Sequence, residues 1–227
     1  MPALARKALA ELLGTGLLVT AVVGSGIAAT RLSPGQAGLQ LLENALVTGA
    51  ALIALILALG PVSAAFNPLV TLAEMALGAI SALEAVVFMA AQFTGAVIGV
   101  AIAQLMYDLP AIDFSQHDRA SGSTFLSEVV ATFGLLVVIF GVVRSGRRQS
   151  VAIAVGGYIT AAYWFTSSTS FANPAVTVGR MFTDSFTGIA PGSVGPFIAA
   201  QVVGAALALI VVRILYPHAA TSLAELD

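Results

Sequence analysis

Six long apolar segments most constrain what this chain can fold into. Each has close to the ~20 residues that an α-helix needs to cross the hydrocarbon core of a bilayer. They cover approximately residues 8–29, 40–59, 82–106, 125–143, 151–168 and 194–216. The sequence therefore predicts an all-α membrane protein with six transmembrane helices.

The composition favours burial in lipid over solution in water. Hydrophobic residues make up 59% of the 227 residues and charged residues only 9%, whereas an average soluble domain has ~25% charged residues. The formal net charge is −2, so we expect no nucleic-acid partner. The chain has no Cys, and its two His are His117 and His218; we therefore expect no metal and no cofactor.

Basic residues indicate the orientation in the membrane. Arg6 and Lys7 precede the first segment, a basic cluster at residues 144–148 follows the fourth, and Arg213 ends the sixth. Six spans place these residues on one side, and loops rich in Lys and Arg favour the cytoplasm. We therefore expect both termini to be cytoplasmic.

Two shorter apolar segments, near residues 67–77 and 173–182, each begin with Asn-Pro. Asn is a favoured N-cap, and Pro is favoured at the first helical position. About ten residues form a helix of ~15 Å, which is half of the hydrocarbon core. The two segments are therefore predicted to be re-entrant half-helices.

An internal repeat relates the two halves of the chain. Glu-x-x-x-Thr, Asn-Pro-x-x-Thr and Ala-Ala-Gln each occur twice, in the same order and about 110 residues apart. The Glu of the first motif is Glu11 and Glu128, the Asn of the second is Asn67 and Asn173, and the Gln of the third is Gln92 and Gln201. Because each half has three spans, the second half is inverted. We expect one channel domain over residues 1–227, built from inverted repeats of about 6–106 and 124–216, with half-helices that meet near the midplane.

Two facing half-helices would exclude ions. Each directs the positive end of its dipole, roughly half a unit charge, at the midplane, which opposes cations and protons. The side-chain oxygen of each Asn can cap its own helix, which leaves the NH₂ group directed into the pore. A permeating hydroxyl can then donate only away from the centre, and a proton-conducting chain is interrupted.

Residues 66–73, Phe-Asn-Pro-Leu-Val-Thr-Leu-Ala, and residues 173–175 resemble the two signature loops of the aquaporin (major intrinsic protein) family. Residues 10–15 and 195–198 are similar to further family landmarks, so the resemblance covers about residues 6–216. It implies six helices and two half-helices in the bilayer, a pore in each subunit of a homotetramer, and passive flux of small neutral solutes and water. The implied pore motifs are Asn67, Pro68, Leu69, Asn173, Pro174 and Ala175.

Glu11 and Glu128 are carboxylates inside apolar helices, where they are costly without partners. The resemblance implies that they brace the re-entrant loops. A proton-coupled carrier is the alternative, but the equivalent positions in the repeat favour bracing.

The sequence departs from the family at the expected selectivity filter. Val176 follows the second Asn-Pro-Ala, where most water and glycerol channels have an Arg that lines the narrowest point. Spacing and the resemblance place the other filter residues at Thr48 (or Val47 under another alignment), Ala161 and Ser170. The nearest cation, Arg180, is expected to oppose the negative end of its half-helix; the alternative is that it enters the vestibule.

The Arg-less filter favours passage of neutral solutes bulkier than water, such as glycerol, urea and hydroxylated metalloids including arsenite. Residues 170–182 resemble bacterial family members associated with arsenic resistance, which implies the inner membrane of a bacterium. The alternative is a water, ammonia or peroxide channel with an atypical filter.

Two further classes are less favoured. An intramembrane enzyme would use Ser167, Ser168 or Ser170, but no His lies in an apolar helix to act as its base. A secondary transporter also uses inverted repeats and is tested by whether flux depends on an ion gradient. We therefore expect a channel and no enzymatic activity.

Overall fold

A computed structural model describes residues 1–217, and His218 lies outside this range. Within it the chain forms eight α-helices and a 3₁₀ turn at Arg148–Ser150. The helices are α1 (Ala3–Leu32), α2 (Ala37–Leu59), α3 (Pro68–Ala76), α4 (Ala82–Leu105), α5 (Gly122–Arg144), α6 (Val151–Phe165), α7 (Pro174–Arg180) and α8 (Pro191–Leu215). The predicted all-α fold class is confirmed.

Five of the helices, α1, α2, α4, α5 and α8, are long and apolar enough to cross a membrane by length and composition. The sixth predicted span is shorter than expected. Its helix α6 has 15 residues and ends at Phe165, whereas the apolar segment continues to residue 168. It ends early because Thr166 adopts an extended conformation and starts the loop that leads into α7.

The half-helices begin where the Asn-Pro motifs predict and are shorter than the roughly ten residues expected. Helix α3 has nine residues and α7 has seven, so each spans only about 10–14 Å. Each begins with a Pro in its first turn and has an Asn N-cap. Neither can cross a bilayer alone, and both are instead enclosed by the long helices.

Close helix crossings hold each half together. A Cβ atom at Gly95 of α4 would lie 2.4 Å from the carbonyl oxygen of Leu12 in α1, and one at Gly204 of α8 would lie 2.4 Å from that of Val129 in α5. Only glycine fits at such distances, so these backbones approach as small residues allow in membrane helices. The two crossings involve corresponding helices of the two halves.

Candidate functional site

The two Asn-Pro loops meet at the centre of the molecule. Asn67 Oδ1 accepts a hydrogen bond from the N–H of Leu69 at 2.9 Å, and Asn173 Oδ1 accepts those of Ala175 and Val176 at 3.0 and 3.3 Å. Each Asn therefore caps its own half-helix, which satisfies N–H groups that a helix start leaves unpaired.

The Asn amides also join the two halves. Asn67 Nδ2 donates to the carbonyl oxygen of Ala172, and Asn173 Nδ2 donates to that of Phe66, both at 2.8 Å. Phe66 and Ala172 have φ angles of 48° and 47°, a left-handed conformation that is uncommon for residues other than glycine. This matched strain turns each carbonyl toward the opposite Asn. Each NH₂ group uses one hydrogen here and keeps a second for the space between the half-helices.

Glu11 holds the loop before α3. Its Oε2 accepts the N–H of Phe66 at 2.7 Å and the side-chain amide of Gln92 at 2.7 Å, and its Oε1 accepts the N–H of Ala65 at 2.9 Å. The hydroxyl of Ser63 donates to Oε1 as well. Four donors thus compensate the burial of this carboxylate, which is fully inaccessible to solvent.

Glu128 holds the loop before α7 in the same way. It accepts the N–H groups of Phe171 and Ala172, both at 2.9 Å, the hydroxyl of Ser168 at 2.6 Å and the amide of Gln201 at 2.6 Å. These contacts repeat those of Glu11 donor for donor. Both carboxylates therefore have a complete set of structural partners, and neither is among the residues that line the central cavity.

A passage runs past the two Asn residues. It is lined by one face of each half-helix, by residues of α1, α2, α5 and α6, and by the loops before the half-helices. Helix α3 contributes Asn67, Val70 and Glu74, α7 contributes Asn173, Val176 and Arg180, α2 contributes Thr48, Leu52 and Ile56, and α6 contributes Val155, Ile159 and Tyr163. The half-helix residues occur at the same offsets from Asn, zero, three and seven, because 3.6 residues make one turn.

Three of the four predicted filter residues line this passage: Thr48, Ser170 and Val176. Thr48 is 3% exposed, whereas Val47 is 43% exposed on the outer surface, so the structure favours the alignment that selects Thr48. The hydroxyl oxygens of Thr48 and Tyr163 lie 3.2 Å apart and form a hydrogen bond across the passage wall. The hydroxyl of Ser170 is buried and has no hydrogen-bond partner among the described residues.

The structure corrects the fourth predicted filter residue, Ala161. Ala161 is exposed on the outer face of α6, and Tyr163 lines the passage in its place. Two residues rotate a helix position by about 200°, so these side chains point in nearly opposite directions. The number of residues between α6 and Asn173 does not predict which side of α6 faces the passage, because the intervening loop contains Thr169 and Ser170 in the left-handed conformation.

Arg180 also lines the passage, one helical turn beyond Val176. Its guanidinium carbon lies 3.4 Å from the ring centroid of Phe171, and its Nε donates to the carbonyl oxygen of Thr187. The side chain is only 2% exposed. Of the two interpretations of Arg180, the structure therefore favours the one that brings its charge to the passage.

A second cation braces the loop beside Arg180. Arg119 donates from Nε to the carbonyl oxygen of Gly188 at 2.6 Å and from Nη2 to that of Phe186 at 2.9 Å. Its guanidinium carbon lies 5.5 Å from the centroid of Phe171. Burial lowers the pKa of Arg119 from its usual value, but a guanidinium remains protonated at neutral pH. The sequence assigned no role to this residue.

Glu74 was missed as well, although a signal was present. It follows Asn67 by seven residues, just as Arg180 follows Asn173, and helical periodicity places these positions on the face that carries the Asn.

For metal binding, no group of three or more His, Asp or Glu is arranged to hold an ion in the described part of the chain.

Comparison with known proteins gives the family. The sequence profile of the major intrinsic protein family matches residues 1–167. The chain is 48% identical over 211 residues to the aquaglyceroporin AqpS of Rhizobium meliloti (strain 1021), covering 92% of this chain and 90% of that protein. It is 35% identical over 188 residues to the lens fiber major intrinsic protein of Bos taurus, covering 76% of this chain and 70% of that protein.

A solved structure shows the same fold. The aquaglyceroporin from Plasmodium falciparum superposes with a TM-score of 0.74, covers 94% of this chain and 98% of its own, and is 22% identical. At that identity the likeness concerns the fold alone. The sequence matches carry the assignment: the chain belongs to the major intrinsic protein family, and its passage is a membrane channel rather than the active site of an enzyme.

Proposed function

We propose that the channel passively conducts small uncharged solutes of the size of glycerol and urea, hydroxylated metalloids such as arsenite, and water. The main supporting observation is Val176, which lines the passage at the first turn of α7. A branched apolar side chain there is shorter than the Arg common in the family and adds no charge. The similarity to an aquaglyceroporin supports solutes larger than water.

The polar groups around Val176 suit a hydroxylated solute. Ser170 offers an unpartnered hydroxyl, and the hydroxyl pair of Thr48 and Tyr163 lies on the same passage. Arg180 adds N–H donors one turn further out. A polyol or a neutral oxyacid can exchange its water shell for these groups, while Val176 contacts its less polar side.

The Asn pair supports exclusion of ions and protons. Asn67 and Asn173 each keep one N–H for the passage, and both half-helices begin there, with their positive dipole ends toward the centre. A cation that crosses this point loses water and meets only donors. We assign the pore motif role to Asn67, Pro68 and Leu69 and to their counterparts Asn173, Pro174 and Ala175.

We also propose the assembly and orientation of this multi-pass protein. Both termini are cytoplasmic in a bacterial inner membrane, because the basic residues in the first turns of α1 and those between α5 and α6 fall on the same side of the membrane. The whole chain forms one channel domain of two inverted halves, and four subunits associate as a homotetramer. Native mass measurement of the detergent-solubilised protein tests the tetramer, and accessibility of terminal tags in membrane vesicles tests the orientation.

The first experiment compares the wild type with Val176→Arg and with Val176→Thr, a matched control of nearly equal shape. Each protein is reconstituted in liposomes, and stopped-flow light scattering records entry of glycerol and urea and flux of water. We expect Val176→Arg to lower glycerol and urea entry at least tenfold and to keep most water flux. Val176→Thr should retain solute entry, since it adds no charge and little volume.

The opposite result would identify the alternative. Fast water flux with no entry of glycerol, urea or arsenite through the wild type would indicate a water-selective channel whose passage is narrowed by other side chains. Arg180 and Phe171 would then be the candidates for that narrowing. Solute flux that required a proton or sodium gradient would instead indicate a transporter.

A further inference from the structure

Glu74 is a carboxyl group on the wall of the channel. It lies in the last turns of α3, is 9% exposed and lines the passage together with Asn67 and Val70. Seven residues of helix separate it from Asn67 by about 10 Å along the axis. A solute that has passed the Asn pair toward the far end of α3 therefore moves along the face that carries this carboxyl.

The Glu74 carboxyl differs from the other buried acids of the molecule. Glu11 and Glu128 each accept hydrogen bonds from two backbone N–H groups, a hydroxyl and an amide. Within residues 1–217, Glu74 has electrostatic interactions with Glu11 and Lys7 but no hydrogen bond to its carboxyl. A buried polar group without a partner is costly. A molecule in the passage is the remaining source of a hydrogen-bond donor for the Glu74 carboxyl.

The nearby cations already have partners. Lys7 Nζ forms an ion pair with Glu84 at 3.0 Å, and Arg213 Nη2 donates to the carbonyl oxygen of Ala76 at 2.9 Å. These contacts keep both groups on the surface beside α3 instead of inside the passage. The Glu74 carboxyl therefore stays available to a molecule in the channel.

The equivalent position of the other half-helix carries the opposite chemistry. Arg180 follows Asn173 by the same seven residues that separate Glu74 from Asn67, and both side chains line the passage. Arg180 can only donate hydrogen bonds, whereas a carboxyl accepts them in either protonation state. Arg180 is also held by Phe171 and Thr187. The channel thus has a fixed donor at one end and an unengaged acceptor at the other.

We propose that Glu74 forms a solute-binding subsite in the α3 half of the channel, where its carboxyl accepts hydrogen bonds from the hydroxyl groups of polyols and neutral oxyacids. This inference rests on the function proposed above. Solute hydroxyls that donate to Glu74 regain part of the hydrogen bonding lost with their water shell. Glu74 then determines specificity at this end of the channel, as the surroundings of Val176 do at the other.

The test measures uptake of labelled glycerol over a range of concentrations, beside water flux, in liposomes with equal amounts of folded protein. The variants are Glu74→Leu and Glu74→Ala, which remove the acceptor, and Glu74→Gln, which keeps one. Glu84→Gln is the matched control, because Glu84 is near the same end of the molecule but pairs with Lys7 and caps α4.

Below saturation we expect both apolar variants to lower glycerol uptake about fivefold, the effect of losing one hydrogen bond, and to raise the half-saturating glycerol concentration. Glu74→Gln should stay within about twofold of the wild type. Water flux and the Glu84→Gln protein should be unchanged. Two apolar variants are used so that the result does not depend on the folding of either one.

Three results would overturn the proposal. Unchanged glycerol uptake in all Glu74 variants would show that the carboxyl lies outside the path of the solute. Equal losses of glycerol and water flux in Leu, Ala and Gln variants would indicate a purely structural role. A wild-type protein that conducts water but no glycerol would instead refute the proposed function on which the inference depends.

Discussion

At the scale of single residues, buried charge in this protein is divided between structure and passage. Glu11 and Glu128 have a complete set of hydrogen-bond donors and hold the two loops that expose the Phe66 and Ala172 carbonyls. Arg180 and Glu74 are also buried but lie on the channel wall. Arg180 is held by the carbonyl oxygen of Thr187 and the ring of Phe171, whereas the Glu74 carboxyl has no hydrogen-bond partner among the described residues.

The bracing role of Glu128 predicts a large loss of stability in Glu128→Gln. An amide nitrogen would face N–H and O–H donors, so at least two buried donors would lose their acceptor, at a cost of about 2–5 kcal/mol. We expect a lower apparent melting temperature in detergent and loss of solute flux. Glu43→Gln is the control, because Glu43 is only partly buried in α2 and bonds the single hydroxyl of Ser33. Equal melting temperatures for the two variants would contradict the bracing role.

At the scale of helices, the geometry of the channel depends on close contact between the long helices of each half. Gly95 and Gly204 lie where α1 meets α4 and where α5 meets α8. Both crossings position the Glu residues of α1 and α5 against their loops. An outward shift of a helix at either crossing would therefore move the carboxylate that supports an Asn-Pro loop.

This packing predicts that even a methyl group at Gly204 destabilises the protein. In Gly204→Ala the new Cβ would lie 2.4 Å from a backbone oxygen, and overpacking of this kind costs about 1–3 kcal/mol. Gly157→Ala is the matched control, because a Cβ at Gly157 of α6 meets no atom within 4 Å. We expect the melting temperature to fall for the first variant and to stay equal or rise for the second. An unchanged melting temperature for Gly204→Ala would show that α5 and α8 can move apart at this crossing without a loss of stability.

At the scale of the whole molecule, the absence of Cys allows the channel wall to be mapped chemically. The chain has no thiol, so mercury should not block wild-type flux through a thiol. We expect Ser170→Cys to acquire a mercury block that a thiol reagent reverses, because Ser170 lines the passage. Ala161→Cys should stay insensitive, since that position faces outward. A mercury block in Ala161→Cys but not in Ser170→Cys would show that position 161 lines the channel and that position 170 does not.

The sequence by itself determined the elements of the fold and the supports of the site. Apolar segments of membrane-spanning length, Asn-Pro helix starts and three repeated landmarks are local or repeated patterns, and they sufficed to predict the half-helices and the Asn pair. The family resemblance added the expectation that Glu11 and Glu128 brace the loops. The tertiary structure alone decided which side chains face the passage. It selected Tyr163 over Ala161, placed Arg180 on the wall and revealed Glu74. The physical reason is rotation: a loop with left-handed residues sets the angle at which a helix enters the bundle, and a difference of two residues in register turns a side chain from lipid to channel.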